Sequence, residues 1–326
     1  MKTVSIILPC YNEEEALPRY FDAVDKVLPS IHDYQVNFIL VNDGSKDKTL
    51  EVMNSLYQQR TDVTVCSLSR NFGQNAAFTA GLEVSKGDYC IMMDSDLQDP
   101  VTLIPEILEK FSQGYDVVNA HRADRSSDTA FKRDTAGLFY KIINKLEGKK
   151  VIPENVNCFR GISRKVVDKI LALSEKDRCL LSEVPLIGYK TVYIDFTRDK
   201  RTAGKSKYSF RKLVRYALDN MSNITSRPLY APAVFGGFMF VLSFLFSIVM
   251  TVLYILSYPS IHVIPAHEVY MVLLIIGVLF IGIGFLSCMI GILGIYLHNI
   301  LINTRNRPNH IIDFVLSPSD KGEKND

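Results

Sequence analysis

The chain has 326 residues, 48% of them hydrophobic, and a formal net charge of +2. So even a charge balance argues against a nucleic-acid binder, and six cysteines with no C-x-x-C pair and no histidine cluster argue against a disulfide framework or a zinc site. The hydrophobic residues are unevenly spread: the chain to about residue 230 has the composition of a soluble domain, and the stretch from Ala233 to Leu297 is far more apolar.

The opening MKTVSIILP reads as a strand rather than a signal peptide, because its apolar run is too short for one. VSIILP (Val4–Pro9) is β-branched and closed by proline, and EEEALPRYFDAVDKVL after it has helical spacing. The pattern then repeats. VNFILVND (Val36–Asp43) is a strand and DKTLEVMNSLYQQR a helix; VTVCSLS is a strand and NAAFTAGLEVS a helix. DYCIMMD is a fourth strand and VTLIPEILEKFSQ a fourth helix, with Pro105 in an early turn, and YDVVNAH is a fifth strand. Alternating strands and helices predict an α/β domain with a mostly parallel sheet and helices on both faces.

Ligands of such sheets bind beyond the carboxyl ends of the strands. Polar residues collect at those ends: Tyr11, Asn12 and Glu13 after the first strand, Asp43 after the second, Asp94 and Asp96 after the fourth, His121 and Arg122 after the fifth. In IMMDSDLQDP, carboxylates directly follow a buried strand. One reading is a turn in which Asp96 or Asp99 caps the helix starting near Pro100. The other is a cation site, since carboxylates crowded into one crevice need a positive charge.

KYSFRKLVRYALDNMSNIT (Lys207–Thr225) places Phe210, Leu213, Ala217, Met221 and Ile224 at helical spacing, as expected of a helix lying in a membrane interface. Ala233–Leu256 and Val269–Leu297 carry no charge and are each long enough to cross a bilayer. The linker SYPSIHVIPAHE has no lysine or arginine. Arg201, Lys205, Lys207, Arg211, Lys212, Arg215 and Arg227 precede the first span, and Arg305, Arg307, Lys321 and Lys324 follow the second. This bias predicts a multi-pass protein of the plasma membrane with both termini and the N-terminal domain in the cytoplasm. The expected organisation is a domain over 1–200, a basic loop and interfacial helix over 201–231, two transmembrane helices within 232–300, and a cytoplasmic tail over 301–326. Glycines in GVLFIGIG and GILG suit close helix packing and a homo-oligomer.

The ordered motifs PCYNEEE, VNDGSKDKT, SRNFGQNAAFTAGL, DSDLQDP and RTAGKSKYSFRKL resemble the family 2 glycosyltransferases. Within that family they are most similar to the polyprenyl-phosphate branch, which includes dolichol-phosphate mannose synthase and bacterial undecaprenyl-phosphate sugar transferases. The resemblance runs from about Thr3 to Pro308. It implies a GT-A (Rossmann-like) fold, a nucleotide-sugar donor, preferably a UDP-sugar with GDP second, and Mg²⁺ or Mn²⁺. It implies that Pro9, Tyr11 and Glu13 surround the donor base and ribose, that Asp43 bonds the base, and that Asp94 contacts the ribose or supports the metal. Asp96 and Gln98 match the family's metal ligands. Arg122 and Arg133, with Arg201, Lys205 and Lys207, match its basic groups for the acceptor phosphate, and Arg125 and Lys132 lie among them. The implied reaction is an inverting transfer of a hexosyl or N-acetylhexosaminyl group to a polyprenyl phosphate, expected to be undecaprenyl phosphate. The product would serve cell-envelope glycosylation, with a separate flippase and a downstream transferase.

One stretch departs from the pattern. Many bacterial relatives carry aspartate in a G-D-F-R-L run; here NVNCFRGISRK has Cys158 at that place, followed by Phe159 and Arg160. Cys158 reads as a small buried residue rather than a base. Three rivals have distinct signatures. A processive polysaccharide synthase would show Q-x-x-R-W, whereas this chain has no tryptophan. Transfer to another lipid acceptor, such as a diacylglycerol, would not need the basic loop. A non-catalytic membrane scaffold would have lost the D-x-D pair or the arginines, and both are present.

Overall fold

A computed structural model describes residues 1–124, 156–173, 178, 180–197 and 307–321, with scattered positions and short runs, the longest 289–294, between 238 and 304. The chain divides into two units, Met1–Leu213 with Asn306–Asp326, and Val214–Arg305. In the second unit the described positions, among them Leu286 and Leu293, are helical. Among the described residues no helix is long and apolar enough to cross a membrane. Most of the two expected spans, and all of the interfacial segment 207–225, lie outside the described residues.

The first unit is built on one sheet. Its strands are β1 (Lys2–Cys10), β2 (Tyr34–Asn42), β3 (Val63–Leu68), β4 (Tyr89–Met92), β5 (Val117–Asp124), β6 (Val156–Ser163), β7 (Thr191–Thr197) and β8 (Ile312–Leu316). The helices are α1 (Ala16–Val24), α2 (Thr49–Gln59), α3 (Gln74–Val84), α4 (Ile104–Ser112), α5 (Arg164–Ala172) and α6 (Leu180–Ile187). Strand order is β7-β5-β6-β4-β1-β2-β3-β8.

The central strands β3, β2, β1 and β4 are parallel, as the alternation of strands and helices predicts. Among the described strands six of eight run the same way, β5 and β7 included, so the sheet is mostly parallel as expected, with two reversed strands that the sequence pattern did not place. β6 runs antiparallel between β4 and β5, so β5 is not the neighbour of β4. At the other edge β8 runs antiparallel to β3. The sheet is therefore mixed. β8 also shows that the segment expected as a tail returns to the first unit, where Ser69 N–H donates to the Ile311 carbonyl and Tyr57 Oη to the Ser317 carbonyl.

Period-two alternation sends Ile6, Leu8, Phe38, Leu40 and Ile91 to one face, where they pack with α1, α2 and α4. Ile7, Ile39, Val41, Cys90 and Met92 face the other side and pack with α3, α5 and α6. Both faces are covered, which is why these strands read as continuous apolar runs. The two layers leave the carboxyl ends of the parallel strands as the place where polar loops gather.

Candidate active site

The loops after β1 and β2 are knitted by their own polar side chains. Asp43 N–H donates to the Cys10 carbonyl at 2.9 Å, continuing the β1–β2 pairing past the strands. Asn12 has a positive φ of 57°, a conformation asparagine tolerates. Its N–H donates to Ser45 Oγ, and its Oδ1 accepts the Lys46 N–H at 2.8 Å. Glu13 N–H donates to Thr49 Oγ1 at 2.8 Å, and Glu14 Oε2 accepts the Lys48 N–H. Asp47 Oδ1 accepts from Thr49 N–H and Oγ1. The PCYNEEE and NDGSKDKT motifs are thus two halves of one loop pair, with Pro9, Tyr11 and Glu13 half-buried in it.

Asp43 is buried, with 4% of its surface exposed. Its Oδ1 accepts the Phe72 N–H at 2.7 Å and its Oδ2 the Gly73 N–H at 3.0 Å. Burial pushes its pKa above the usual carboxylate value, and the two N–H bonds oppose that rise. Asn71 Nδ2 adds a bond to the Asp43 carbonyl, so the S-R-N-F-G loop after β3 is clamped onto the end of β2. Gly44 lets the two loops meet: with φ at 64°, a Cβ there would sit 2.4 Å from the Arg70 carbonyl carbon and 2.4 Å from the Asn71 nitrogen.

β4 ends at Met92, so the carboxylates of DSDLQD stand in the loop beyond it rather than in the strand. Ile7 pairs with Met92 in the β1–β4 ladder, and two residues further on Pro9 and Asp94 reach the same level of the sheet. The loop folds back on itself. Asp99, 1% exposed, accepts the Asp94 N–H on Oδ2 at 3.0 Å, and Asp96 Oδ1 accepts the Gln98 N–H at 3.1 Å. Leu97 turns the chain with a φ of 60°. Helix α4 starts only at Ile104, after a tight turn over Val101–Leu103, and has no side-chain cap. The capping alternative therefore fails for both aspartates. Asp99 secures the loop, and Asp94 and Asp96 are half-buried at the crevice.

Gln74, the first residue of α3, donates from Nε2 to Asp94 Oδ1 at 2.6 Å and joins the clamped loop to the carboxylate loop. Arg122 is half-buried on β5, separated from β4 by β6. Beside it His121 Nδ1 lies 2.6 Å from Asp195 Oδ1 of β7. Arg125, Lys132, Arg133, Arg201, Lys205 and Lys207 lie outside the described residues. Cys158 is half-buried on β6 and packs against the α3 face of the core. In the β4–β6 ladder Met92 pairs with Arg160, so Cys158, two residues on, lies across from Asp94. Arg160, 1% exposed, donates from Nη1 to the Leu180 carbonyl at 3.1 Å and ties β6 to α6.

Among the described residues no three His, Cys, Asp or Glu side chains cluster as a metal cage. A pair of carboxylates is nonetheless the donor chemistry of a hard cation that takes its remaining ligands from phosphate and water. Asp94 and Asp96 are donors of that type, and Gln98 follows them in the same loop. Sequence reasoning left Gln74, Asn71 and Asp99 without these roles. SRNFGQ stood out as a motif, but a bond between two loops has no signature in either loop alone.

A family profile described as Glycosyl transferase family 2 matches residues 5–171. The chain is 37% identical over 315 residues to the SfII prophage-derived bactoprenol glucosyl transferase of Shigella flexneri, covering 95% of this chain and 97% of the relative. It is 35% identical over 315 residues to a prophage bactoprenol glucosyl transferase homolog of Escherichia coli K12, covering 95% and 98%. Among solved structures it resembles glucosyl-3-phosphoglycerate synthase from Mycobacterium tuberculosis, crystallised with Mn²⁺, UDP and phosphoglyceric acid. That match has a TM-score of 0.50 and 16% identity over 69% of this chain and 78% of the other, a likeness of fold.

Proposed function

This chain belongs to glycosyl transferase family 2, and on that premise we propose that it moves a sugar from a nucleotide-sugar to a polyprenyl phosphate at a membrane surface. The observation that carries the reading is the meeting of Pro9, Tyr11, Glu13, Asp43, Asp94 and Asp96 at the carboxyl ends of three parallel strands. The names of the relatives favour bactoprenol as the lipid and glucose as the sugar. UDP is the preferred nucleotide.

In this reading Pro9, Tyr11 and Glu13 line the base and ribose, and the buried Asp43 fixes the loop that closes beside them. Asp96 and Gln98, with Asp94, would hold Mg²⁺ or Mn²⁺, which supplies positive charge to the diphosphate leaving group. The acceptor phosphate has a second pKa near 6, so at neutral pH it is largely dianionic and needs no general base. One of its oxygens bonds to the anomeric carbon from the face opposite the nucleotide. The bond from that carbon to the diphosphate oxygen breaks, and the nucleoside diphosphate leaves with the electron pair, inverting the centre. Arg122, Arg133, Arg201, Lys205 and Lys207 are assigned to orient the lipid phosphate, so catalysis rests on position and charge. A chain with the half-buried Cys158, and not a carboxylate, at that place of β6 is compatible with a reaction that needs no general base.

The proposal includes the two spans, the interfacial helix, the cytoplasmic catalytic domain and self-association. The return of β8 to the sheet supports the paired spans, because an even number of crossings brings the chain back to the side it left. A flippase and a downstream envelope transferase would consume the product.

The test uses full-length protein in detergent with labelled UDP-glucose, undecaprenyl phosphate, and Mn²⁺ or chelator. Label enters the lipid phase only with metal, and Asp96→Ala abolishes transfer while the protein still inserts in membranes. Full activity of Asp96→Ala overturns the metal assignment. Absence of label with UDP- and GDP-linked sugars alike overturns the donor reading.

A further inference from the structure

The amide of Gln74 occupies a place that the transfer reaction does not explain. It is an exposed side chain at the first position of α3, yet its Nε2 lies 2.6 Å from Asp94 Oδ1. The backbone that delivers it is tightly set. Both oxygens of the buried Asp43 hold the N–H groups of the two preceding residues, Phe72 and Gly73. Gly73 has a φ of 97°, which turns the chain from the loop into the helix. On the other side Asp94 is held through its own N–H by the buried Asp99. The 70–74 loop is therefore fixed to the end of β2 by one buried aspartate, the 94–99 loop is closed on itself by another, and a side-chain bond from Gln74 to Asp94 joins the two.

We infer that Gln74 is a positioning residue for the donor site: it orients the Asp94 carboxylate toward the nucleotide and metal, acting through Asp94 rather than on the donor. The inference rests on the reading of the crevice as a nucleotide-sugar site. A neutral amide donor suits this role. It fixes one carboxylate oxygen and leaves the charge of Asp94 available to a cation, whereas lysine or arginine in its place would neutralise that charge.

A double-mutant cycle on full-length protein in detergent separates action through Asp94 from direct contact, with Mn²⁺·UDP affinity as the readout. Gln74→Ala is expected to weaken binding about tenfold, the usual scale for a hydrogen bond to a charged group at a partly open site. In the Asp94→Ala background the same change is expected to cost less than about twofold. Gln74→Glu sets carboxylate against carboxylate, so its affinity should recover as the pH is lowered from about 8 to about 6, where one proton is shared; wild type should show no such recovery. An equal penalty in both backgrounds overturns the inference, because Gln74 then acts independently of Asp94. Wild-type affinity in Gln74→Ala also overturns it. If wild type binds Mn²⁺·UDP but transfers no sugar, non-additivity in binding upholds the inference while the proposed reaction falls. A wild-type chain that binds neither Mn²⁺·UDP nor Mn²⁺·GDP overturns both.

Discussion

Replacing Asp43 by asparagine changes one atom in a buried clamp. The carboxylate offers an acceptor to Phe72 N–H at 2.7 Å and another to Gly73 N–H at 3.0 Å. The amide offers one acceptor and turns an NH₂ group toward the remaining N–H. A buried donor left without an acceptor costs about 1–3 kcal/mol. Removing a charge that burial disfavours offsets part of this, leaving a net loss of about 1–2 kcal/mol. For a domain of this size that lowers Tm by roughly 2–8 °C. The effect also carries a pH signature. Because burial raises the folded pKa of Asp43, its contribution to stability is full below the unfolded carboxylate value of about 3.9 and is lost as pH rises through the higher folded value. The wild-type advantage over Asp43→Asn should therefore be larger in acid than at neutral pH. Circular dichroism is the suitable probe, since the chain has no tryptophan. Mn²⁺·UDP affinity should fall in parallel as the 70–74 loop loosens. A variant with wild-type Tm and wild-type affinity would refute the clamp.

Gly44→Ala should be more damaging than its size suggests, by about 2–4 kcal/mol, because the added methyl meets backbone and the residue must keep a positive φ; a thermal melt within 1–2 °C of wild type, taken as roughly 1 kcal/mol or less, counts against it. Among Cys10, Cys66, Cys90 and Cys158, alkylation near pH 8 followed by mass spectrometry should mark Cys158 first. Cys158 is half-buried, whereas burial pushes the Cys66 thiol up to about 12 and raises those of Cys10 and Cys90 as well. Early labelling of Cys66 would contradict this. Arg133→Ala should raise KM for the lipid phosphate about tenfold while donor affinity holds; unchanged acceptor kinetics would return Arg133 to the solvated surface.

The parallel centre of the sheet was legible because its strands are buried on both faces, so each one announces itself as an apolar run closed by polar residues. Pro105 at the start of α4 was legible for a similarly local reason. The two reversed strands were not. β6 (VNCFRGIS) shows no clear alternation, and nothing in it tells whether it enters beside β4 or outside β5. β8 is separated from its partner β3 by more than two hundred residues of chain, and its short run ID-FVL gives no pairing preference by itself. At the site, residue types at strand ends were enough to gather Tyr11, Glu13, Asp43, Asp94 and Asp96. What escaped was the division of labour among carboxylates. Asp43 and Asp99 hold backbone N–H groups, and Asp94 receives an amide from another loop. These roles depend on which donors lie within about 3 Å, a property of the folded loops and not of either segment alone.

The central claim is that motifs scattered over the first hundred residues form one donor site. Hydrogen exchange of the full-length protein with and without Mn²⁺·UDP tests it most directly. Binding should slow exchange together at the four loops containing Tyr11–Glu14, Asn42–Ser45, Arg70–Gln74 and Asp94–Gln98, and Asp96→Ala should remove that protection. Protection of only one of these loops, or of none while nucleotide binds, would contradict the account.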